Sequence, residues 1–144
     1  MDEYVKMMQN KQTIESNLDK GLSEAINAEI SAGTITTIDE GIQWMKKTYY
    51  YQRLIRCPIH YNFKATDLED DPSGHGLLLN KIQSCVENLN RMRLIRYNQA
   101  TDAVYSTDMG RVASNYYINC ETMGYFMGNL LPHTRSEMIL YHMA

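Results

Sequence analysis

Cysteine is scarce in this 144-residue chain: Cys57, Cys85 and Cys120 are the three, odd in number and far apart. No Cys-x-x-Cys pair exists, so the spacing excludes a structural zinc knuckle. The set fits reduced thiols of an intracellular protein, each a small buried apolar residue. Phenylalanine (2) and tryptophan (1) are nearly absent beside 11 tyrosines. An excess of charge of one sign is also lacking. The 14 Lys and Arg against 17 Asp and Glu leave −3, with no global basic field to mark a nucleic-acid binder. No apolar run is long enough to span a membrane, and the opening "MDEYVKMMQN" has no signal-peptide layout. There is no glycine-rich loop ending in Gly-Lys-Ser/Thr and no DExH-type box, which excludes ATP hydrolysis by that route. His60, His75, His133 and His142 are scattered without ligand spacing, and no Ser/His/Asp or Cys/His set stands out.

What is present is the material of one domain. The length is that of a single core, and 44% hydrophobic residues suffice to fill it. Tyrosine suits half-buried positions, ring inside and hydroxyl at a polar partner, which points to a domain that docks onto neighbours. Ile14, Leu18, Leu22, Ala25, Ile26 and Ile30 recur at helical spacing, and Gly33 stops that helix near residue 32. Thr37 and Glu40 form a capping box for a second helix with the stripe Ile38, Ile42, Met45 and Tyr49, ended by Pro58. After the polar loop "KATDLEDDPSGHG", Asp71 and Pro72 predict the start of a third helix over about 72–92, with Leu78, Ile82, Cys85, Leu89 and Met92 inside. Its acidic "EDD" has the carboxylates to bind a cation, but such a run in a loop is usually just solvated.

The period then changes. "LIRYN" (94–98) and "AVYS" (103–106) are short β-favouring runs flanking a hairpin-length turn. "STDMGRVASNYYI" (106–118) follows, with Thr107 or Asp108 capping a helix whose inner side reads as Val112, Tyr116 and Ile118. Gly110 leaves room for close packing, and Tyr116 and Tyr117 present one ring to each side. A further helix covers about 121–130, Pro132 breaks it, and the Thr134–Glu137 capping box opens another that runs to Ala144. Both ends read as cut from a longer chain. The expected class is mainly α: a winged helix, with a three-helix core and a small β-hairpin wing at 94–106, followed by C-terminal helices.

Basic residues gather locally. Lys81, Arg91, Arg93 and Arg96 lie on the third helix and its passage into the wing, and Lys46, Lys47, Arg53 and Arg56 mark the second. Arginine pairs with phosphates and stacks on bases, and Tyr97 and Tyr105 in the hairpin offer stacking faces. Lys81, Arg91, Arg93 and Arg96 are therefore the candidate nucleic-acid contacts; the alternative is a solvated face with snorkelling stems.

Several stretches in order carry a resemblance: "ESNLDKGLSEAINAEISAGTI" (15–35), "TYYYQRLIRCPIHY" (48–61) and "STDMGRVASNYYI" (106–118). Together they resemble the winged-helix region of Ski-two-like DExH helicases, closest to the tandem-cassette RNA helicases of the spliceosome and their activating-signal-cointegrator relatives. Asn115, Met109, Cys57 and the Gly74/Gly76 pair depart from the usual pattern. The resemblance implies a module without ATPase residues, which packs on the second RecA-like domain and leads into a helical-bundle ratchet domain. Residues 1–12 would then be the tail of the RecA-like domain, 13–118 the winged helix, and 119–144 the connector and first ratchet helix. ATP and magnesium would belong to the parent helicase, with no cofactor in this segment. RNA would be met through the parent, with spliceosomal partners, a nuclear location and no membrane. The expected docking residues are Asn27, Glu29, Tyr51, Arg53 and Arg111, making buried polar contacts that fix the helices and seat the RecA-like domain; the alternative is an ordinary polar surface for Asn27 and Glu29 and a salt bridge inside the module for Arg111. Two function classes remain: a non-catalytic module of an RNA helicase, or an autonomous winged-helix domain binding nucleic acid or protein. The third helix favours the first, because it sets Lys81 and Arg91 against Glu87 with an acidic loop beside them.

Overall fold

A computed structural model describes residues 14–64, 68, 71–130 and 138. Six helices and one two-stranded sheet stand among them. The chain enters through a 3-10 turn, Leu18–Gly21, and continues as α1, Leu22–Ala32, stopped by Gly33 in a left-handed cap. Ile14 precedes both and is 76% exposed, so the expected helix loses its first turns. Leu22, Ile26 and Ile30 are the part of that stripe which is buried.

The second expected helix is two. α2, Ile38–Lys46, starts at the capping box, where the Thr37 hydroxyl accepts from the Glu40 N–H and Glu40 reaches back to Thr36. The Thr48 hydroxyl then donates to the Met45 carbonyl and accepts from the Tyr51 N–H, ending one helix and capping the next, α3, Tyr49–Arg56. The break shifts the buried stripe by one residue. Tyr50 and Leu54 are buried, and Tyr49, which would have continued the run from Met45, is 53% exposed. Pro58–Tyr61 forms a second 3-10 turn.

α4, His75–Arg91, begins three residues later than expected. Asp71 does not cap it in the ordinary way: its carboxylate accepts from the Ser73 and Gly76 N–H groups, and the helix starts from Gly74 at φ +58. That left-handed backbone, with Ile55 and Leu68 packed against it, favours a residue without Cβ. Leu78, Ile82, Cys85, Val86 and Leu89 form its buried face. The wing pairs β1, Ile95–Asn98, with β2, Ala103–Ser106, antiparallel with Arg96 opposite Tyr105. A third extended segment, absent from the sequence expectation, joins it. Val104 N–H donates to the Thr36 carbonyl, Ile38 N–H donates to the Asp102 carbonyl, and Thr37 bridges Ala103.

α5, Asp108–Asn115, is capped by the Thr107 hydroxyl, and α6, Cys120–Asn129, by the Asn119 side chain. The inner side of α5 is Gly110 and Ala113; Val112 is 37% and Tyr116 73% exposed, so of the three residues expected inside, Ile118 packs on the core. Tyr117 is 96% exposed with φ +54. Both tyrosine rings therefore face outward. The expected helix after Pro132 lies outside the described residues, Met138 excepted.

One core joins these elements: α1 packs on α4, α5 and β2, and α2 on α4. The observed class is the expected one, a mainly α winged helix with further helices after the wing. Among the described residues, no helix is long and apolar enough to cross a membrane.

Candidate functional site

Asn27 is a polar side chain on the buried face of α1, 1% exposed. Its Nδ2 donates to the Gly110 carbonyl at 2.9 Å, and its Oδ1 has no hydrogen-bond partner among the described residues. A Cβ added at Gly110 would stand 2.1 Å from the Leu94 carbonyl oxygen and 2.9 Å from Asn27 Oδ1. The same Leu94 carbonyl accepts from the Thr107 N–H at 3.1 Å and from its hydroxyl at 2.7 Å. Three segments thus meet around one glycine: α1, the turn from α4 into the wing, and α5. Nearby, the Cys120 N–H donates to Glu24. Burial, aided by the Glu24 charge, pushes the Cys120 thiol up to about 12. Burial also raises Cys85. Both thiols stay protonated and inert.

A second cluster fixes the segment that leads into α1. Arg53, 8% exposed on α3, donates to both oxygens of Glu15, at 3.0 and 2.5 Å. The Tyr61 hydroxyl donates to the same carboxylate at 2.9 Å and accepts from the Ser16 N–H at 3.0 Å. The hydrogen bond from Arg53 pulls the Glu15 carboxyl down to about 2, against desolvation that works the other way. This is bidentate guanidinium–carboxylate pairing.

Other expected docking residues are placed less deeply. Glu29 is half-buried, and its side chain bonds no described residue. Tyr51 is half-buried and donates to the Ser73 carbonyl at 3.1 Å, tying α3 to the turn before α4. Arg111 is not buried: it pairs with Asp108 one turn back on α5, and both side chains are exposed. Asn27 and Arg53 are the two of the five that make buried polar contacts.

The four candidate nucleic-acid contacts divide. Lys81 is taken up internally: it pairs with Asp19 and lies 5.5 Å from the Tyr50 ring centroid and 5.6 Å from that of Phe63. Burial works against its charged form, but Asp19 and Tyr50 outweigh it and hold the ammonium above its ordinary value. Arg91, Arg93 and Arg96 are exposed. Arg93 and Arg96 share a groove of about 660 Å³ with Tyr105, Thr107, Met109 and Met127. Arg91 lines a different hollow, beside Lys81 and Glu87. Glu15, Leu94 and Thr107 were not legible as structural partners, because their mates lie far off in sequence; Glu15 and Tyr61 do fall inside the quoted motifs.

The family described as Winged Helix-turn-helix domain matches residues 15–93, and the Sec63 Brl domain matches residues 106–144. The chain belongs to that winged-helix family, in the form found in Ski-two-like helicases. It is 33% identical over 129 residues to activating signal cointegrator 1 complex subunit 3 of Danio rerio, covering 88% of this chain and 8% of that one. The human protein of the same name is 32% identical over 129 residues, covering 88% and 6%. The pre-mRNA-splicing factor brr2 of Schizosaccharomyces pombe is 30% identical over 138 residues, covering 96% of this chain and 6% of that one. The chain thus spans less than a tenth of the length of these relatives.

Proposed function

We propose that this chain is the non-catalytic winged-helix module of a large ATP-dependent RNA helicase, acting in pre-mRNA splicing on small nuclear RNA duplexes and therefore nuclear. It packs on the second RecA-like domain and passes the chain into the ratchet domain, with the boundaries 1–12, 13–118 and 119–144. The observation that carries this reading is Lys81. It stands in the middle of α4, the helix that a duplex reader would lay in a groove, yet Asp19, Tyr50 and Phe63 hold it inside the module. The remaining Lys or Arg on α4 is Arg91, at its C-terminal end. A helix so arranged supports packing rather than groove reading.

Nucleotide chemistry belongs elsewhere in such an enzyme. The glycine-flanked helix start at Gly74–Gly76 does not fit a phosphate, because the Asp71 carboxylate already accepts from the Gly76 and Ser73 amides. ATP and magnesium would be held by the RecA-like domains, RNA would be threaded by the whole enzyme, and spliceosomal proteins would be met through it. On this reading Asn27 and Arg53 keep the module rigid, while Glu29, Tyr51 and Arg111 offer polar groups to the neighbouring domain.

The test titrates the chain against two partners. A one-to-one complex is expected with the second RecA-like domain of the parent helicase, and no tight complex with duplex DNA. Sub-micromolar, salt-dependent duplex binding without a RecA-like complex would overturn the proposal.

A further inference from the structure

The groove beside the wing combines features that the connector role does not use. Arg96 lies directly opposite Tyr105 in the hairpin, so both side chains stand on one face of the wing. Tyr105 is 60% exposed there, and neither Arg93 nor Arg96 has an acidic partner among the described residues. Asp108 also reaches the groove, but its carboxylate is paired with Arg111. From residue 88 to 101 the sequence has three arginines and no acid, in a chain of net charge −3.

Arg93 adds an independent observation. Its φ is +60, a left-handed backbone that disfavours any residue with a Cβ. Both its backbone groups are held: its N–H donates to the Asn90 carbonyl, and its carbonyl accepts from the Thr107 hydroxyl at 2.9 Å. Glycine or asparagine would serve that turn with less strain. An arginine at a strained position, exposed and beside a second arginine and an exposed ring, points to a side-chain role.

We propose that this groove holds a short stretch of single-stranded nucleic acid. Arg93 and Arg96 contact successive phosphates, and Tyr105 stacks on the adjoining unpaired base. A duplex presents no free base face to Tyr105, which selects the single strand. Met109, 39% exposed, and Met127 supply apolar surface beneath the base. Naming RNA as the natural strand rests on the helicase-module reading; the binding chemistry does not.

The experiment follows fluorescence anisotropy of a labelled oligouridylate on the full chain at low salt, with the same strand annealed to oligoadenylate and a polyglutamate peptide as the other arms. Single-strand binding is expected to exceed duplex binding. Tyr105→Ala should weaken it at least about fivefold and Tyr105→Trp should restore it. Arg93→Gly and Arg96→Ala should each lower the salt slope by about 0.7, one phosphate's share on a single strand. Arg93→Gly also relieves the left-handed turn, so its melting temperature should not fall, which separates lost binding from lost folding. No single-strand binding, equal duplex binding, tighter binding of polyglutamate, or a folded Arg93→Gly chain that binds like the parent would each overturn the site. Failure of the helicase-module reading would instead appear as no RecA-like complex with oligonucleotide binding intact.

Discussion

A methyl group on Gly110 has nowhere to go. It would fall 2.1 Å from the Leu94 carbonyl oxygen, a backbone atom already engaged by Thr107. Gly110→Ala must therefore push α5 away from the α4–wing turn and strain the Asn27 bond. We expect a loss of at least about 3 kcal/mol, at the upper end for overpacking, measured by urea unfolding. A loss below about 0.5 kcal/mol, the range of ordinary surface changes, would show that α5 slides freely and that the crossing holds nothing. The Gly-Arg step in "STDMGRVASNYYI" made close packing at Gly110 legible. It could not reveal what packs there, because Leu94 and Asn27 lie far away in sequence and a backbone carbonyl leaves no mark in residue type. Arg111 takes the alternative its sequence allowed, a salt bridge inside the module, with Asp108 three residues back.

Helix periodicity exposed the elements but not every boundary. α2 and α3 read as one helix because Met45 and Tyr49 have helical spacing, and the change of phase shows only when Tyr50 and Leu54 prove to be the buried pair. Thr48 makes the break by serving both ends at once. Removing its hydroxyl leaves the Met45 carbonyl and the Tyr51 N–H without that partner, so Thr48→Ala should cost about 1 kcal/mol, the usual value of a lost cap. Chemical denaturation checks this, and an unchanged midpoint would mean that core packing alone sets the corner. The third wing segment at Thr36–Ile38 escaped the sequence for a different reason. Its residues also spell a helix cap, and three residues are too few to show a period of two. The stripe of α4 was plain because its length averages out local exceptions, although Asp71 and Gly74 moved its start.

At the scale of the molecule, the ion pair between Glu15 and Arg53 ties the incoming chain to the body of the fold. The carboxyl of Glu15 titrates at about 2 when folded, against an ordinary 4.5. A depressed carboxylate stabilises the folded state fully above its unfolded value, and that contribution is lost as pH falls through the folded one. The urea midpoint should drop as pH falls from about 4.5 towards 2. Glu15→Gln should flatten that part of the profile and lower the midpoint at neutral pH. A variant that keeps the wild-type acid slope would assign the slope to other carboxylates. The winged-helix class was legible from element order alone, helices then hairpin then helix. The division of lysines and arginines between free and engaged was not, because it depends on where Asp19, Glu15 and Asp108 come to lie.

The bond from Asn27 to Gly110 spans 83 residues of chain. During synthesis Asn27 leaves the ribosome first, and at about 5–20 residues per second it waits roughly 4–17 s for its acceptor to appear. Until then its amide has only water to bond, and α1 has no α5 to cover it. The module therefore completes its fold only when its last third has emerged, and a ribosome stalled before Gly110 would display α1 without the cover of α5 to any chaperone within reach.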